Sequence, residues 1–165
     1  MDTTLKRATV IVAIGAIVFL LFDRFGPFQS GRGYRPKPIE VVSGGVVELK
    51  RTFDGHYYLN GAINGRAVVF MVDTGASTVS VGAALAERLD LGACRPVTYR
   101  TAGGSVRGCE ARARDLEVAG ARLSDQRVAV LPDQSKDLVL LGMSVLKHFR
   151  VETEGATMRL TPIAP

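Results

Sequence analysis

From Val46 onward, the chain alternates short β-branched and apolar runs with turns that contain glycine. The clearest case is Asn64-Gly65, the dipeptide most typical of a two-residue β-hairpin turn. Many short strands at close spacing, with one or two helical turns, predict a small all-β barrel or sandwich. Strands are predicted at Val46–Phe53, His56–Ile63, Arg66–Val72, Pro96–Thr101, Val106–Val118, Arg127–Leu131, Leu138–Leu141, Arg150–Thr153 and Thr157–Thr161, and short helices or turns at Gly82–Leu89 and Met143–Phe149.

The composition fits one folded domain and excludes several classes of partner. The 165 residues are 47% hydrophobic, enough for a packed core. The first 43 residues hold six of the 21 Lys and Arg and three of the 16 Asp and Glu, which leaves a nearly neutral 15 against 13 in the rest. Nucleic acid is not an expected partner, because the arginines from Arg95 to Arg127 interleave with acidic residues. Two Cys and two His are a poor zinc set, and no metal or cofactor is expected.

An apolar segment lies near the amino terminus. All fifteen residues of Ala8–Phe22 are apolar or small, and Lys6 and Arg24 flank them. As a helix the run is about 22 Å long, which permits a short membrane anchor, a signal-peptide core or a buried helix. Residues 23–28 lack the small residues that a signal peptidase needs, which favours an uncleaved anchor. The predicted organisation is a membrane anchor over residues 1–25, a Pro- and Gly-containing linker over 26–45 and a folded domain over 46–165.

One carboxylate follows the apolar run Val68–Val72. A charge at the end of a buried strand is costly unless it is hydrogen-bonded or paired. This carboxylate belongs to Asp73. Taken alone, Asp73 has an ordinary interpretation, in which its side chain accepts hydrogen bonds from the backbone N–H groups of an Asx turn. The segment that follows the strand consists of Asp73, Thr74, Gly75, Ala76 and Ser77.

Several motifs, in their order along the chain, resemble those of the retropepsin-like aspartic proteases, most closely a bacterial membrane-anchored branch. The resemblance runs from about Val46 to Thr161 and implies a small closed barrel of retropepsin-like fold. The motifs are Asp54-Gly55-His56, Asn64-Gly65, Asp73-Thr74-Gly75, Thr101-Ala102-Gly103-Gly104 and Leu140-Leu141-Gly142-Met143-Ser144-Val145-Leu146.

The resemblance implies a role for each residue of the Asp-Thr-Gly loop. Asp73 is expected to be the catalytic carboxylate, Thr74 to hydrogen-bond to a partner loop, and Gly75 to let the two loops approach closely. The mechanism needs two carboxylates that share one proton. Because the chain has one Asp-Thr-Gly and no Asp-Ser-Gly, the second carboxylate must come from another copy. A homodimeric endopeptidase acting on protein or peptide substrates is therefore expected.

The resemblance also implies a flap, a supporting segment and a location. The flap, which closes over substrate, is expected at Thr101, Ala102, Gly103, Gly104 and Ser105. Leu140, Leu141 and Gly142 are expected to pack beside the Asp-Thr-Gly loop. The implied location is the bacterial inner membrane, crossed once, with the catalytic domain in the periplasm; the charges that flank the anchor do not by themselves favour this orientation.

Some alternatives stay open at the level of sequence. The same fold could serve as a non-catalytic binding or assembly module at the membrane, or as a ligand-binding barrel, and the flap hairpin could be an ordinary exposed turn. Cys94 and Cys109 lie on either side of that hairpin and only diagonally close, which allows either a disulfide bridge or two free thiols. His56 and His148 have no place in a carboxylate mechanism and are assigned to the surface or to a supporting role.

Overall fold

The computed structural model describes residues 37–38, 40–43, 45–101, 103–132, 134 and 137–163. The predicted anchor over residues 1–25, most of the predicted linker and Ala102 lie outside the described residues. Neither helix in the described ranges is long and apolar enough to cross a membrane. The elements are β1 (Glu40–Ser43), β2 (Val46–Lys50), β3 (Tyr58–Ile63), β4 (Arg66–Val72), β5 (Val79–Gly82), α1 (Ala83–Arg88), β6 (Arg95–Thr101), β7 (Gly104–Val118), β8 (Ala121–Leu131), β9 (Leu138–Leu141), α2 (Met143–Leu146), β10 (Phe149–Glu154) and β11 (Thr157–Pro162).

Six of these strands close into a barrel. Their order is β3-β4-β9-β5-β8-β7, and β7 returns to pair with β3. At the closure, a Cβ on Gly61 would lie 2.3 Å from the carbonyl oxygen of Glu117 and 2.6 Å from the ring of Phe70. Only glycine allows strands β3 and β7 to approach this closely without displacing backbone. The prediction of a small closed all-β barrel with short helices is confirmed for the described residues.

The barrel encloses one hydrophobic core. Phe70, Leu59, Ile63, Leu116 and Leu141 are fully buried there. On β7, the buried Ala111 and Ala113 alternate with the exposed Arg112 and Arg114, as the two-residue period of a strand requires. Burial of each large side chain contributes about 1.5–3 kcal/mol. The core therefore fixes which face of each strand points inward.

A second, antiparallel sheet has the order β1-β2-β11-β10. Strand β1 lies inside the segment predicted as linker, and its Val42 pairs with Val47 of β2. The Asn60 side chain donates a hydrogen bond of 2.7 Å to Glu40 Oε1, which ties β1 to the barrel. The ordered fold thus begins before Val46, and the linker prediction is wrong for residues 40–43. Valines on both sides of a turn that contains Gly45, at φ 82°, form a hairpin instead.

Two local signals in the sequence, a hairpin turn and a short helix, correspond closely to the structure. Asn64 and Gly65 both have positive φ, 51° and 75°, and join β3 to β4 as the hairpin prediction required. Helix α1 falls within the predicted helical segment, with Gly82 and Leu89 as its caps. Both predictions are confirmed. They could be made from the sequence because a two-residue turn and a short helix depend mainly on nearby residues.

Strands β6 and β7 extend beyond the barrel as a two-stranded arm, residues 95–108. Pairing of β8 with β7 begins at Cys109, opposite Val130, so the preceding part of β7 pairs only with β6. A disulfide joins Cys94 to Cys109 at the base of the arm, with Cα atoms 5.5 Å apart. Pro96 is the residue directly opposite Cys109, so the cysteines are diagonal neighbours as the hairpin register implied. The structure decides between the two alternatives in favour of the bridge.

Candidate active site

Asp73 is the first residue after β4, and its side chain is half-buried. Its backbone N–H donates to the carbonyl oxygen of Leu141, at 3.1 Å. Its carboxylate oxygen Oδ1 accepts the N–H of Gly75 at 2.9 Å. Its carbonyl oxygen accepts the N–H of Ala76 at 3.2 Å. The end of the buried strand therefore delivers one oriented carboxylate that remains partly open to solvent.

The segment that follows β9 holds the Asp73 loop from the other side. Strands β4 and β9 are parallel, and Val72 pairs with Leu141. Past the strand ends, the N–H of Met143 donates to the carbonyl oxygen of Ala76 at 2.8 Å, and that of Ser144 to the carbonyl oxygen of Ser77 at 3.0 Å. The loop is thus paired along its length to a segment distant in sequence, which limits its freedom to move.

Gly142 makes this pairing sterically feasible. A Cβ there would lie 2.3 Å from the carbonyl oxygen of Thr78 and 2.8 Å from that of Ala76. Both contacts are with backbone, which cannot rotate away as a side chain could. Leu140, Leu141 and Gly142 therefore lie against the Asp73 loop, and the glycine is required by close approach rather than by its dihedral angles.

Two hydroxyl groups tie the exit of the loop to the barrel. Thr78 Oγ1 donates to the carbonyl oxygen of Arg127 at 3.0 Å, and Ser144 Oγ lies 3.5 Å from Thr78 Oγ1. At the tip of the loop, Thr74 and Gly75 are exposed. The loop is therefore fixed at its ends, while its tip faces outward in the single chain.

The predicted flap lies at the end of the arm. Thr101 Oγ1 donates to the carbonyl oxygen of Gly104 at 2.9 Å. Gly103, Gly104 and Ser105 are exposed. Nearer the base, the Tyr99 hydroxyl donates to the carbonyl oxygen of Cys109 at 3.3 Å, and burial raises the pKa of Tyr99. The arm is thus anchored at its base and open at its tip.

Sequence reasoning missed the position of His56. The N–H of Val72 donates to the carbonyl oxygen of Tyr57 at 3.0 Å, one step beyond the last pair of β3 and β4. Beyond that bond the pairing ends, because the Asp73 N–H donates to Leu141 and the His56 N–H donates to Asp54. Counting back from the Asn64-Gly65 turn gives this pairing from the sequence alone. His148 lies instead after α2, with its N–H donating to the carbonyl oxygen of Val145.

Asp54, the first residue of the Asp54-Gly55-His56 motif, organises the turn that carries His56. Its carboxylate accepts hydrogen bonds from the Thr52 hydroxyl, from the His56 N–H at 3.1 Å and from the Tyr58 hydroxyl at 2.8 Å. Partial desolvation raises the pKa of the Asp54 carboxyl, but the three hydrogen bonds, together with the electrostatic effect of the nearby His56, outweigh it and hold this pKa below its ordinary value. The described residues contain no group of three His, Cys, Asp or Glu able to hold a metal.

Known proteins similar to this chain share its barrel. A retropepsin-like aspartic protease from Rickettsia conorii is 29% identical; the match covers 76% of this chain and 96% of that one, with a TM-score of 0.61. The EIAV protease in complex with the inhibitor HBY-793 is 20% identical over 58% of this chain and 89% of its own, with a TM-score of 0.50, which shows a shared fold.

A further protein and a protein family are also similar to this chain. An uncharacterized protein of Rickettsia prowazekii (strain Madrid E) is 33% identical over 109 residues, 64% of this chain. The match spans just under half of that protein's length, 46%. The profile of the family described as gag-polyprotein putative aspartyl protease matches residues 59–148, more than half of the chain. The chain therefore belongs to this aspartyl protease family, and its fold is that of the retropepsin-like aspartic proteases.

Proposed function

We propose that the chain is an aspartic endopeptidase whose active site forms when two copies bring their Asp73 carboxylates together. The observation that carries the proposal is the oriented, half-buried Asp73 carboxylate on a loop paired to residues 141–144. Family membership supports peptide hydrolysis as the chemistry. The single Asp-Thr-Gly of the sequence supports the need for a second copy.

The chemistry follows from two carboxylates that share one proton. The ionised carboxylate takes a proton from a water molecule as the water oxygen forms a bond to the peptide carbonyl carbon. The protonated carboxyl donates to the carbonyl oxygen. The carboxyl that took the proton from water then passes it to the amine nitrogen as the C–N bond breaks. A hydroxyl of the tetrahedral intermediate returns its proton to the other carboxylate, which leaves an acid, an amine and the original shared proton. The exposed Thr74 of each loop is available to hydrogen-bond to the other loop.

The arm and the membrane segment complete the proposal. The arm serves as a flap over bound peptide, and its exposed Gly103 and Gly104 supply a tip with little side-chain packing. Residues 8–22 anchor the chain in a bacterial inner membrane, with the folded domain in the periplasm. The apolar run and the family resemblance support this location. The Cys94–Cys109 disulfide supports it too, since disulfides persist in oxidising compartments.

The test compares cleavage of a peptide library by the full chain, by Asp73→Asn and by Asp125→Asn, with products identified by mass spectrometry. Asp125 is an exposed partner of Arg112 on the barrel wall and serves as the matched control. Cleavage should be lost in Asp73→Asn and retained in Asp125→Asn. Peptides that are bound but never cleaved by the unaltered chain would instead identify a binding module.

A dilution series tests the requirement for two copies. Because the active site is shared, the rate per molecule should fall as the concentration passes below the dimer dissociation constant. Light scattering at the same concentrations reports the oligomeric state. A strictly monomeric species with an undiminished rate per molecule would refute the shared site.

A further inference from the structure

Three contacts lead from Asp73 across neighbouring strands to Arg127 on β8. The Asp73 N–H donates to the carbonyl oxygen of Leu141 at 3.1 Å. The next residue, Gly142, lies against the backbone of Thr78. The Thr78 hydroxyl donates to the carbonyl oxygen of Arg127 at 3.0 Å. Neighbouring strands are about 4.8 Å apart, so three such steps place Arg127 about 14 Å from Asp73.

Arg127 lies on the sheet face that ends at Asp73. Directly paired residues project to the same face of a sheet, and one continuous row of such pairs crosses four strands. The row consists of Met71, Leu140, Ser80 and Ala129. Met71 precedes Asp73 by one two-residue period of the strand, and Ala129 follows Arg127 by one. Arg127 is thus an exposed residue on the same face as the end of β4.

A peptide beneath the arm crosses this face toward Arg127. The arm continues β6 and β7, and β7 pairs with β8, the strand that carries Arg127. A peptide that reaches Asp73 and is covered by the arm therefore extends from β4 toward β8. An extended chain advances about 3.3 Å per residue, so 14 Å corresponds to about four residues. Gly142 and Thr78, which lie between, carry no charge, so Arg127 is the first charged side chain that such a peptide meets.

The guanidinium of Arg127 has no carboxylate partner among the described residues. Arg112, directly opposite it on β7, is paired with Asp125. Glu110, diagonal to it in the same ladder, is paired with Arg95 at 3.1 Å. Three guanidinium groups and two carboxylates leave one net positive charge here, and the unpaired group is that of Arg127.

This positive charge also lies close to the arm. Burial, followed by the charge of Glu110, raises the pKa of Tyr99 on β6. The positive charges of Arg95 and Arg127 lower that pKa, so the Arg127 guanidinium is near enough to act on the Tyr99 hydroxyl. Residues 96–108 of the arm contain two arginines and no Asp or Glu, so the arm adds no negative charge. The surroundings of Arg127 therefore favour a negatively charged group on the peptide.

We propose that Arg127 is a specificity residue, whose guanidinium binds the carboxylate of an Asp or Glu side chain about four residues from the scissile bond of the substrate. The planar guanidinium can donate two hydrogen bonds to one carboxylate. Because two copies share the active site, one Arg127 lies on each side of the scissile bond. This inference rests on the proposed function and goes beyond it, since it names a chemical feature of the substrates that the site prefers.

The test uses peptides that differ only in Glu, Gln or Lys at one position, roughly three to five residues from the cut on either side. They are taken from sequences that the full chain cleaves in the library or that the Asp73→Asn protein captures from it. An ion pair at a partly exposed site changes affinity by roughly fivefold. The unaltered chain should therefore prefer Glu to Gln by about fivefold, and Arg127→Gln should show no preference. Arg127→Glu should instead prefer Lys to Gln. Arg114→Gln, which removes an exposed arginine already paired with Asp90, is the matched control and should keep the preference for Glu.

The substitutions leave the carbonyl oxygen of Arg127 in place for the Thr78 hydroxyl, so the protein is expected to fold. Equal use of the Glu and Gln peptides by the unaltered chain, a preference for Glu that persists in Arg127→Gln, or no shift toward Lys in Arg127→Glu would overturn the proposal. An equal loss of preference in Arg114→Gln would also overturn it, because the effect would then come from overall charge rather than from one contact. The same ratios measured by binding to Asp73→Asn protein, with and without Arg127→Gln, separate this inference from the proposed function. Loss of cleavage with an intact binding preference refutes only the hydrolysis, and neither capture nor cleavage refutes both.

Discussion

The disulfide at the base of the arm provides the sharpest quantitative prediction. Cys94 and Cys109 are 15 residues apart, and their bridge closes a loop that contains the whole arm. A cross-link stabilises the folded state mainly by reducing the entropy of the unfolded chain, and a 15-residue loop corresponds to about 3 kcal/mol at 25 °C. The double variant Cys94→Ser/Cys109→Ser should therefore lose about 3 kcal/mol of unfolding free energy. Its melting temperature should fall by roughly 10 °C.

Unfolding in urea measures this loss. The chain has no Trp but four Tyr, so circular dichroism and tyrosine fluorescence are the suitable signals. Reductant should lower the stability of the unaltered protein to that of the double variant and should leave the double variant unchanged, which makes the variant the control for side effects of the reductant.

Hydrogen exchange separates the global effect from the local one. Residues 95–108 pair only within the arm, so their amides should exchange faster once the bridge is open, while those of β4 and β9 in the barrel should keep their relative order of protection. A stability change below about 1 kcal/mol, with an unchanged dependence on urea, would refute the loop-entropy reasoning.

Substitutions at three further positions test other parts of the structure. Gly142→Ala should destabilise the fold by roughly 1–3 kcal/mol and abolish cleavage, because its Cβ would meet the backbone of Thr78 and Ala76; wild-type stability in urea would contradict the packing described. Ala119 has φ 48°, so Ala119→Gly should raise the unfolding free energy by about 0.5 kcal/mol and Ala119→Val lower it by about 1 kcal/mol or more; the reverse order would exclude backbone strain at this turn. The Asp54 carboxyl has a pKa below its ordinary value of 3.8, so its stabilising effect is present above that value and lost as the pH falls through the lower, folded pKa. The destabilisation caused by Asp54→Asn should thus be largest at neutral pH and shrink below about pH 4, and a difference in unfolding free energy that is constant with pH would show that these hydrogen bonds do not stabilise the ionised form.

The sequence alone determined the features that depend on neighbouring residues. Asn64-Gly65 specified the β3–β4 hairpin, because these residues adopt the positive φ angles that a two-residue turn requires. Helix α1 followed from an alanine-rich segment. The apolar run before Asp73 predicted that a carboxylate stands at the end of a buried strand, and family resemblance suggested its use. The catalytic role of Asp73 stays a prediction.

Tertiary structure decided what depends on residues distant in the chain. The bridge between Cys94 and Cys109 and the pairing of residues 40–43 with β2 could not be chosen from residue types, since each had an equally ordinary alternative. The close contact of Gly142 with the Thr78 backbone became visible only when β4 and β9 were placed side by side. The physical reason is the same in each case: a turn is selected by the local energies of a few dihedral angles, whereas barrel closure, strand pairing and close backbone contacts depend on packing that brings distant segments together.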